Sequence, residues 1–98
     1  MTINKSNENS AVCFAIVGRL DTTTAPELEA ELSKEKETAE VVFDFANLEY
    51  ISSAGLRVLL AEQKNINAKH GSMIIRNVNS SVMEVFEITG FIDILTIE

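Results

Sequence analysis

Two adjacent hydroxyls, Ser52 and Ser53, stand in the stretch "YISSAGLRVLL", residues 50–60, directly before an apolar helical pattern. Serines at that point can do one of two things. One of them can cap the helix by accepting a backbone N–H. Alternatively, an exposed hydroxyl at a helix start can accept a phosphoryl group, because the helix end tolerates negative charge. A second candidate cluster, "GRLDTTT", places Asp21, Thr22 and Thr23 after another apolar run. There too a bland reading exists, with Asp21 as a turn residue and the threonines in a solvated loop.

No catalytic machinery accompanies these groups. His70, the only histidine, falls at a helix end beside Lys69 and Gly71, where a polar cap accounts for it. Ser53 has no visible general base, and the sequence lacks a G-x-S-x-G elbow, a P-loop and a G-x-G-x-x-G turn. The carboxylates do not follow the EF-hand pattern. Cys13 is the only cysteine, so it forms no internal disulfide and offers no metal spacing; inside "AVCFAIV" it reads as a small buried hydrophobe. These observations argue against an enzyme and imply no cofactor or metal. With 15 acidic and 8 basic residues the net charge is −7, and no basic stripe with interleaved aromatics exists to meet nucleic-acid phosphates. An acidic surface favours solubility and a basic partner patch. There is no apolar run of membrane-spanning length and no signal-peptide pattern, so a cytoplasmic protein without membrane insertion is expected.

The elements that position the hydroxyls follow from hydrophobic periodicity. "MTINK" suits a short edge strand and "NENS" a break. Ala11–Gly18 and Val41–Ala46 are continuous apolar runs that fit buried strands. Ala25, Leu28 and Leu32 share a helical stripe. Thr24 and Glu27 have capping-box spacing, although Pro26 makes Ala25 an alternative cap. "NLEYI" reads as a connector. Ser53 to about His70 reads as a helix stopped by Gly71, "SMIIRNV" as a strand, and "NSSVMEVFEITG" as a helix with a left-handed Gly90 cap over which Phe91 folds back. "FIDILTIE" closes with a short strand. Asp44 interrupts its apolar strand; its carboxylate either stands on the rim at the strand end or hydrogen-bonds beneath the loop, and a structural role is the favoured reading.

The expected fold is α/β: one domain over residues 1–98, with order β-β-α-β-α-β-α-β and a mixed, mainly parallel sheet of about four to five strands. Strands alternating with helices imply parallel pairing through right-handed crossovers, with the first strand antiparallel to the second or at an edge. If the Ala11–Gly18 and Val41–Ala46 strands are parallel neighbours, Asp21 and Ser53 lie on one rim, where α/β folds gather their sites.

Three motifs in register carry a family resemblance. "DFANLEYISSAGLRVLL", "GRLDTTTA" and "SSVMEVFEITGF" resemble the strand–loop–helix, Gly-x-Leu-Asp and third-helix segments of STAS domains of bacterial anti-sigma factor antagonists, over about Ala11 to Ile97. In that family an aspartate usually precedes the phosphoacceptor serine; here Ser52 takes its place. The resemblance implies partner switching. The dephosphorylated antagonist binds an anti-sigma factor with serine kinase activity and frees a sigma factor. ATP-dependent phosphorylation ends binding, and a metal-dependent Ser/Thr phosphatase resets it. It assigns Ser53, or less readily Ser52, as phosphoacceptor, and Asp21, Thr22, Thr23, Ser52, Ser53, Ala54, Gly55 and Arg57 as the partner surface. Gly55 would admit a close partner backbone, Arg57 would face the partner, and Asp21 would hold the Ser53 hydroxyl or contact the partner. A monomer is expected when free. The family often adds a C-terminal helix, whereas this sequence stops at Glu98. The alternative implied is a STAS subunit of another assembly, a lipid-transport complex or signalling scaffold, without a phosphoswitch.

Overall fold

The structure, a computed structural model, describes residues 1–98. Strand β1 (Thr2–Glu8) turns at Asn9 and Ser10 into the ten-residue β2 (Ala11–Leu20), its antiparallel partner from Thr2↔Val17 to Glu8↔Ala11. Asn9 takes φ 59°, a left-handed conformation that suits asparagine in so tight a hairpin. β1 thus runs through the first half of the expected "NENS" break, Asn7 and Glu8, because it needs only one buried neighbour strand and no apolar run of its own.

Helix α1 (Ala25–Ser33) follows, then β3 (Glu40–Asp44), β4 (Leu48–Ile51), α2 (Ser53–Ala68), β5 (Ser72–Arg76), α3 (Ser80–Thr89), a 3-10 turn at Phe91–Asp93 and β6 (Thr96–Ile97). The main path of the sheet is β1-β2-β3-β5-β6, with every pairing parallel except the first. The expected crossovers are therefore present. The sheet has six strands because "LEYI" is a strand and not a connector: β4 pairs in parallel with the end of β2. The pairing depends on an irregularity between Gly18 and Arg19. Gly18, at φ 100°, bends β2 so that its first half pairs with β3 and its last residues with β4.

A single apolar core lies between the sheet and the helices. Phe14, Phe43, Phe45, Leu59, Ile66, Ile75 and Phe86 are all fully enclosed. Cys13 is buried as expected, and burial pushes its thiol pKa up. α1 presents Ala25, Leu28 and Leu32 inward. Its N-cap is Thr24, not Ala25, but no capping box forms, since the Thr24 hydroxyl is engaged elsewhere. At the end of α2 the left-handed position is held by His70 (φ 58°), and Gly71 N–H closes on Ile66 O at 2.9 Å. Gly71 is needed for space: a Cβ there would stand 1.9 Å from Ala39 O. Gly90 is the left-handed cap of α3, as its position suggested. Asp44 Oδ1 accepts from Ala46 N (3.0 Å) and Asn77 Nδ2 (3.1 Å), tying the β3 exit to the β5 exit. No helix is long and apolar enough to cross a membrane.

Candidate functional site

The rim is built where β2 and β4 end side by side. Leu20 pairs with Ile51, and Ser52 N donates to Leu20 O at 2.9 Å. Asp21 and Ser52 are the next residues of two bonded strands, so the two serine- and threonine-bearing loops are adjacent. The expected adjacency runs through β3; the structure supplies it through β4. From the far side, Asn79 Nδ2 donates to Leu48 O at 2.7 Å and anchors β4 to the start of α3.

Asp21 organises its own loop. Its Oδ1 accepts from Thr23 N (3.0 Å), Thr23 Oγ1 (2.7 Å) and Thr24 N (3.2 Å). Its own N–H donates to Thr24 Oγ1 (2.8 Å), which in turn donates to Arg19 O (2.8 Å). Thr23 hydroxyl donation, followed by the Thr24 and Thr23 amides, holds the Asp21 carboxyl below its ordinary value of 3.8. No hydrogen bond joins Asp21 to Ser53, so the carboxylate does not hold that hydroxyl; its Oδ1 is engaged within the turn and its Oδ2 faces Arg19. Thr22 and Thr23 are exposed beside it.

The two serines differ. Ser52 is the N-cap residue of α2, with extended backbone (φ −99°, ψ 178°), yet its side chain makes no capping bond. Its Oγ is enclosed and unpaired. Ser53 is the first helical residue, and its side chain is exposed and free of any hydrogen bond in the chain. The first intrahelical bond runs from Leu56 N to Ser52 O (3.0 Å), which leaves the N–H groups of the first turn uncapped around Ser53. Ala54 is half-buried, and Arg57 is exposed one turn along, at the i+4 position from Ser53.

Gly55 is buried and faces inward. A Cβ there would lie 2.8 Å from Ile51 Cγ1 and from Leu20 Cγ. The glycine lets α2 start close against the ends of β2 and β4, so internal packing accounts for it and no partner backbone is needed.

Two residues of the rim, Arg19 and Tyr50, carry no motif that marks them in the sequence. The Arg19 guanidinium lies 4.2 Å from the centre of the Tyr50 ring, and Arg19 Nε is 3.7 Å from Asp21 Oδ2. Both side chains are substantially exposed beside the turn. The available signal was an exposed aromatic two residues before the serine pair. Its partnership with Arg19 follows only from the Arg19↔Tyr50 register. The chain holds no group of three or more His, Cys, Asp or Glu side chains that would bind a metal ion.

This arrangement presents one free hydroxyl on a helix start, flanked by a rigid Asp-Thr-Thr turn. The STAS domain family model matches residues 2–98. The chain belongs to the STAS domain family. Within it, the relatives most alike in sequence are named anti-sigma factor antagonists, and the chain belongs with them. BtrV of Bordetella bronchiseptica, assigned as an anti-sigma factor antagonist, is 36% identical over 99 residues, covering 99% of this chain and 84% of that protein. The anti-sigma-B factor antagonist of Staphylococcus aureus is 30% identical over 97 residues, covering 97% and 90%. The anti-sigma factor antagonist SpoIIAA of Bacillus shares the fold in its unphosphorylated form, with TM-score 0.79 and 17% identity over 99% of this chain and 87% of that one. In its phosphorylated form the values are 0.76, 18%, 99% and 91%. The STAS fold and the antagonist family expected from the three motifs are thus both met.

Proposed function

We propose that this STAS domain is a phosphorylation-switched anti-sigma factor antagonist that works in the cytoplasm and catalyses nothing itself. The dephosphorylated form binds an anti-sigma factor with serine kinase activity, and a sigma factor is freed. The contact surface comprises Asp21, Thr22, Thr23, Ser53, Ala54 and Arg57, with Ser52 and Gly55 contributing through the backbone that fixes the helix start. The kinase transfers the γ-phosphoryl group of ATP to Ser53 Oγ, ADP leaves, and the complex separates. A metal-dependent Ser/Thr phosphatase restores the hydroxyl.

One observation carries the assignment of the acceptor. Ser53 Oγ is exposed and unbonded at the first position of α2, while Ser52 Oγ is enclosed. A kinase reaches the first without unfolding the rim and cannot reach the second. That SpoIIAA is known in a phosphorylated form supports a switch of this kind.

The physics separates binding from folding. A phosphate adds about −1.5 to −2 charges at neutral pH. At the N-terminus of α2 the dipole stabilises that charge by roughly 0.3–1 kcal/mol. At an interface shaped for a hydroxyl, the same group must be desolvated against unmatched surface, which costs several kcal/mol. At about 1.4 kcal/mol per decade, a loss on the order of a hundredfold in affinity follows. The test is to capture the kinase partner from cell extract on the immobilised protein, add ATP, and map the modified residue by tandem mass spectrometry. Phosphate on Ser53 with release of the partner is expected. Phosphate on Ser52, or release without modification, would overturn the reading.

A further inference from the structure

The chain has three arginines, and the structure commits two of them. Arg76 Nη2 is 2.8 Å from Glu8 Oε2. Arg19 Nε is 3.7 Å from Asp21 Oδ2, and its guanidinium lies over the Tyr50 ring. Arg57 has no such partner, although the chain holds 15 acidic residues. The local sequence explains why. Its helix neighbours three and four residues away are Ser53, Ala54, Leu60 and Ala61, and the one carboxylate of α2, Glu62, is buried. Arg57 is exposed one turn from the exposed, unbonded Ser53. Side chains so spaced on a helix stand about 5–6 Å apart at Cβ. The other charged groups at this end are Asp21 and Arg19, set against each other, and Glu49 on β4. Lys64, the next cation on the exposed face of α2, is about 16 Å from Ser53 along the axis. A phosphoryl group on Ser53 therefore has one uncommitted cation within reach.

We propose that Arg57 reads the modification. In the unmodified protein its guanidinium is open to a carboxylate of the partner. Once Ser53 is phosphorylated, Arg57 donates charge-assisted hydrogen bonds to the phosphate oxygens on its own helix. The phosphate wins this exchange because it is held on the same chain, whereas the partner's carboxylate must be brought in by association. The partner then loses its cation and faces an ion pair closed within α2. This names what the phosphate does at the contact surface, so it rests on the proposed switch.

The test is a phosphorus NMR titration of the full chain carrying genetically encoded phosphoserine in place of Ser53, which needs neither kinase nor partner. The second ionisation of a phosphoserine lies near pH 6. Arg57 favours the dianion, so Arg57→Gln should raise that pKa by about 0.2–0.4 pH unit, the size of an exposed pair one helical turn apart. The field of the helix end is common to both proteins and cancels. Arg57→Lys keeps the charge and should retain part of the lowering. Removing the neighbouring ion pair as a unit, Arg19→Gln with Asp21→Asn, should change the pKa less than Arg57→Gln does. Three results overturn the inference: an unchanged pKa in Arg57→Gln, an Arg57→Lys value equal to that of Arg57→Gln, or a larger rise in the double variant. With the partner captured on the unmodified protein, Arg57→Gln should bind about tenfold more weakly, the loss of one charge-assisted bond, and an undiminished affinity also overturns the exchange. A kinase that leaves Ser53 unmodified would instead sink the switch itself, a result the titration does not touch.

Discussion

Replacing Ser52 by alanine should stabilise the domain, which reverses the usual sign for an N-cap position. An ordinary serine cap loses about 0.5–2 kcal/mol on truncation, because a helix amide loses its acceptor. Ser52 makes no such bond, so nothing of that kind is lost. Its hydroxyl is enclosed and unpaired, and a buried polar group in that condition costs about 1–3 kcal/mol. Taking the low end, Ser52→Ala should gain roughly 1 kcal/mol. For a domain of this size that is a rise of about 4–8 °C in Tm. Urea unfolding followed by far-UV circular dichroism, with thermal melts alongside, measures it. The m-value should not change, since the surface exposed on unfolding is the same. Ser53→Ala is the matched control: an exposed, unbonded hydroxyl should shift stability by no more than about 0.5 kcal/mol. If Ser52→Ala instead lowers stability by about 0.5 kcal/mol or more, Ser52 caps α2 in solution. The contrast drawn between an enclosed Ser52 and a free Ser53 would then fail.

Gly55→Ala should gain about 1 kcal/mol of helix propensity and lose about 1–3 kcal/mol to overpacking against Leu20 and Ile51, a net loss on the order of 1 kcal/mol; a rise in the urea midpoint would show spare room at that contact. Asp21 is held below its ordinary pKa, so its contribution to stability is present in full above that value and disappears as pH falls through the depressed folded pKa. Comparing melts of the wild type and Asp21→Asn should show a gap at pH 7 that closes under acid conditions, and a gap that persists unchanged at the lowest pH would point to shape instead of charge. Glu62 titrates the other way: its raised folded pKa makes ionisation a cost to the folded state, absent below the unfolded value and complete above the folded one. Glu62→Gln should therefore melt higher than the wild type at neutral pH, with the advantage vanishing as pH falls; a lower Tm at neutral pH would mean that the carboxylate has found a partner.

The main architecture was readable because most elements advertise themselves locally. Ala11–Gly18, Val41–Ala46 and "SMIIRNV" are apolar runs bounded by polar turns, and the stripe of Ala25, Leu28 and Leu32 has the helical period. β4 was not readable. Four residues with the buried-exposed-exposed-buried order of Leu48, Glu49, Tyr50 and Ile51 lack the alternation of a strand, and their i, i+3 spacing suits a helical turn as well. The strand exists because Gly18 kinks a distant strand to meet it, and that is a non-local fact. The same cause hid Arg19 and Tyr50, which meet only through the β2–β4 register. His70, not the expected stop Gly71, takes the left-handed position, because spacing marks a helix stop but does not show which residue turns. Gly71 is a glycine for another reason: a backbone oxygen crossing from Ala39 excludes any side chain there. Among the site residues, the sequence order placed Ser52, Ser53 and Asp21 near one another. It did not distinguish the enclosed hydroxyl from the free one, since adjacent residues at a helix start differ by about a hundred degrees of rotation about the axis.

Ser53 as a switch that changes binding and leaves the fold intact is the central claim. The direct measurement takes the protein phosphorylated by its captured kinase and records its Tm and its affinity for the nucleotide-bound partner on the same sample. A melting temperature within a few degrees of the unmodified protein, together with a loss of affinity on the order of a hundredfold, is the predicted result. Ser53→Ala should hold the partner in the presence of ATP. A phosphorylated protein that keeps its affinity, or one that loses it only by unfolding at a much lower temperature, would contradict the account.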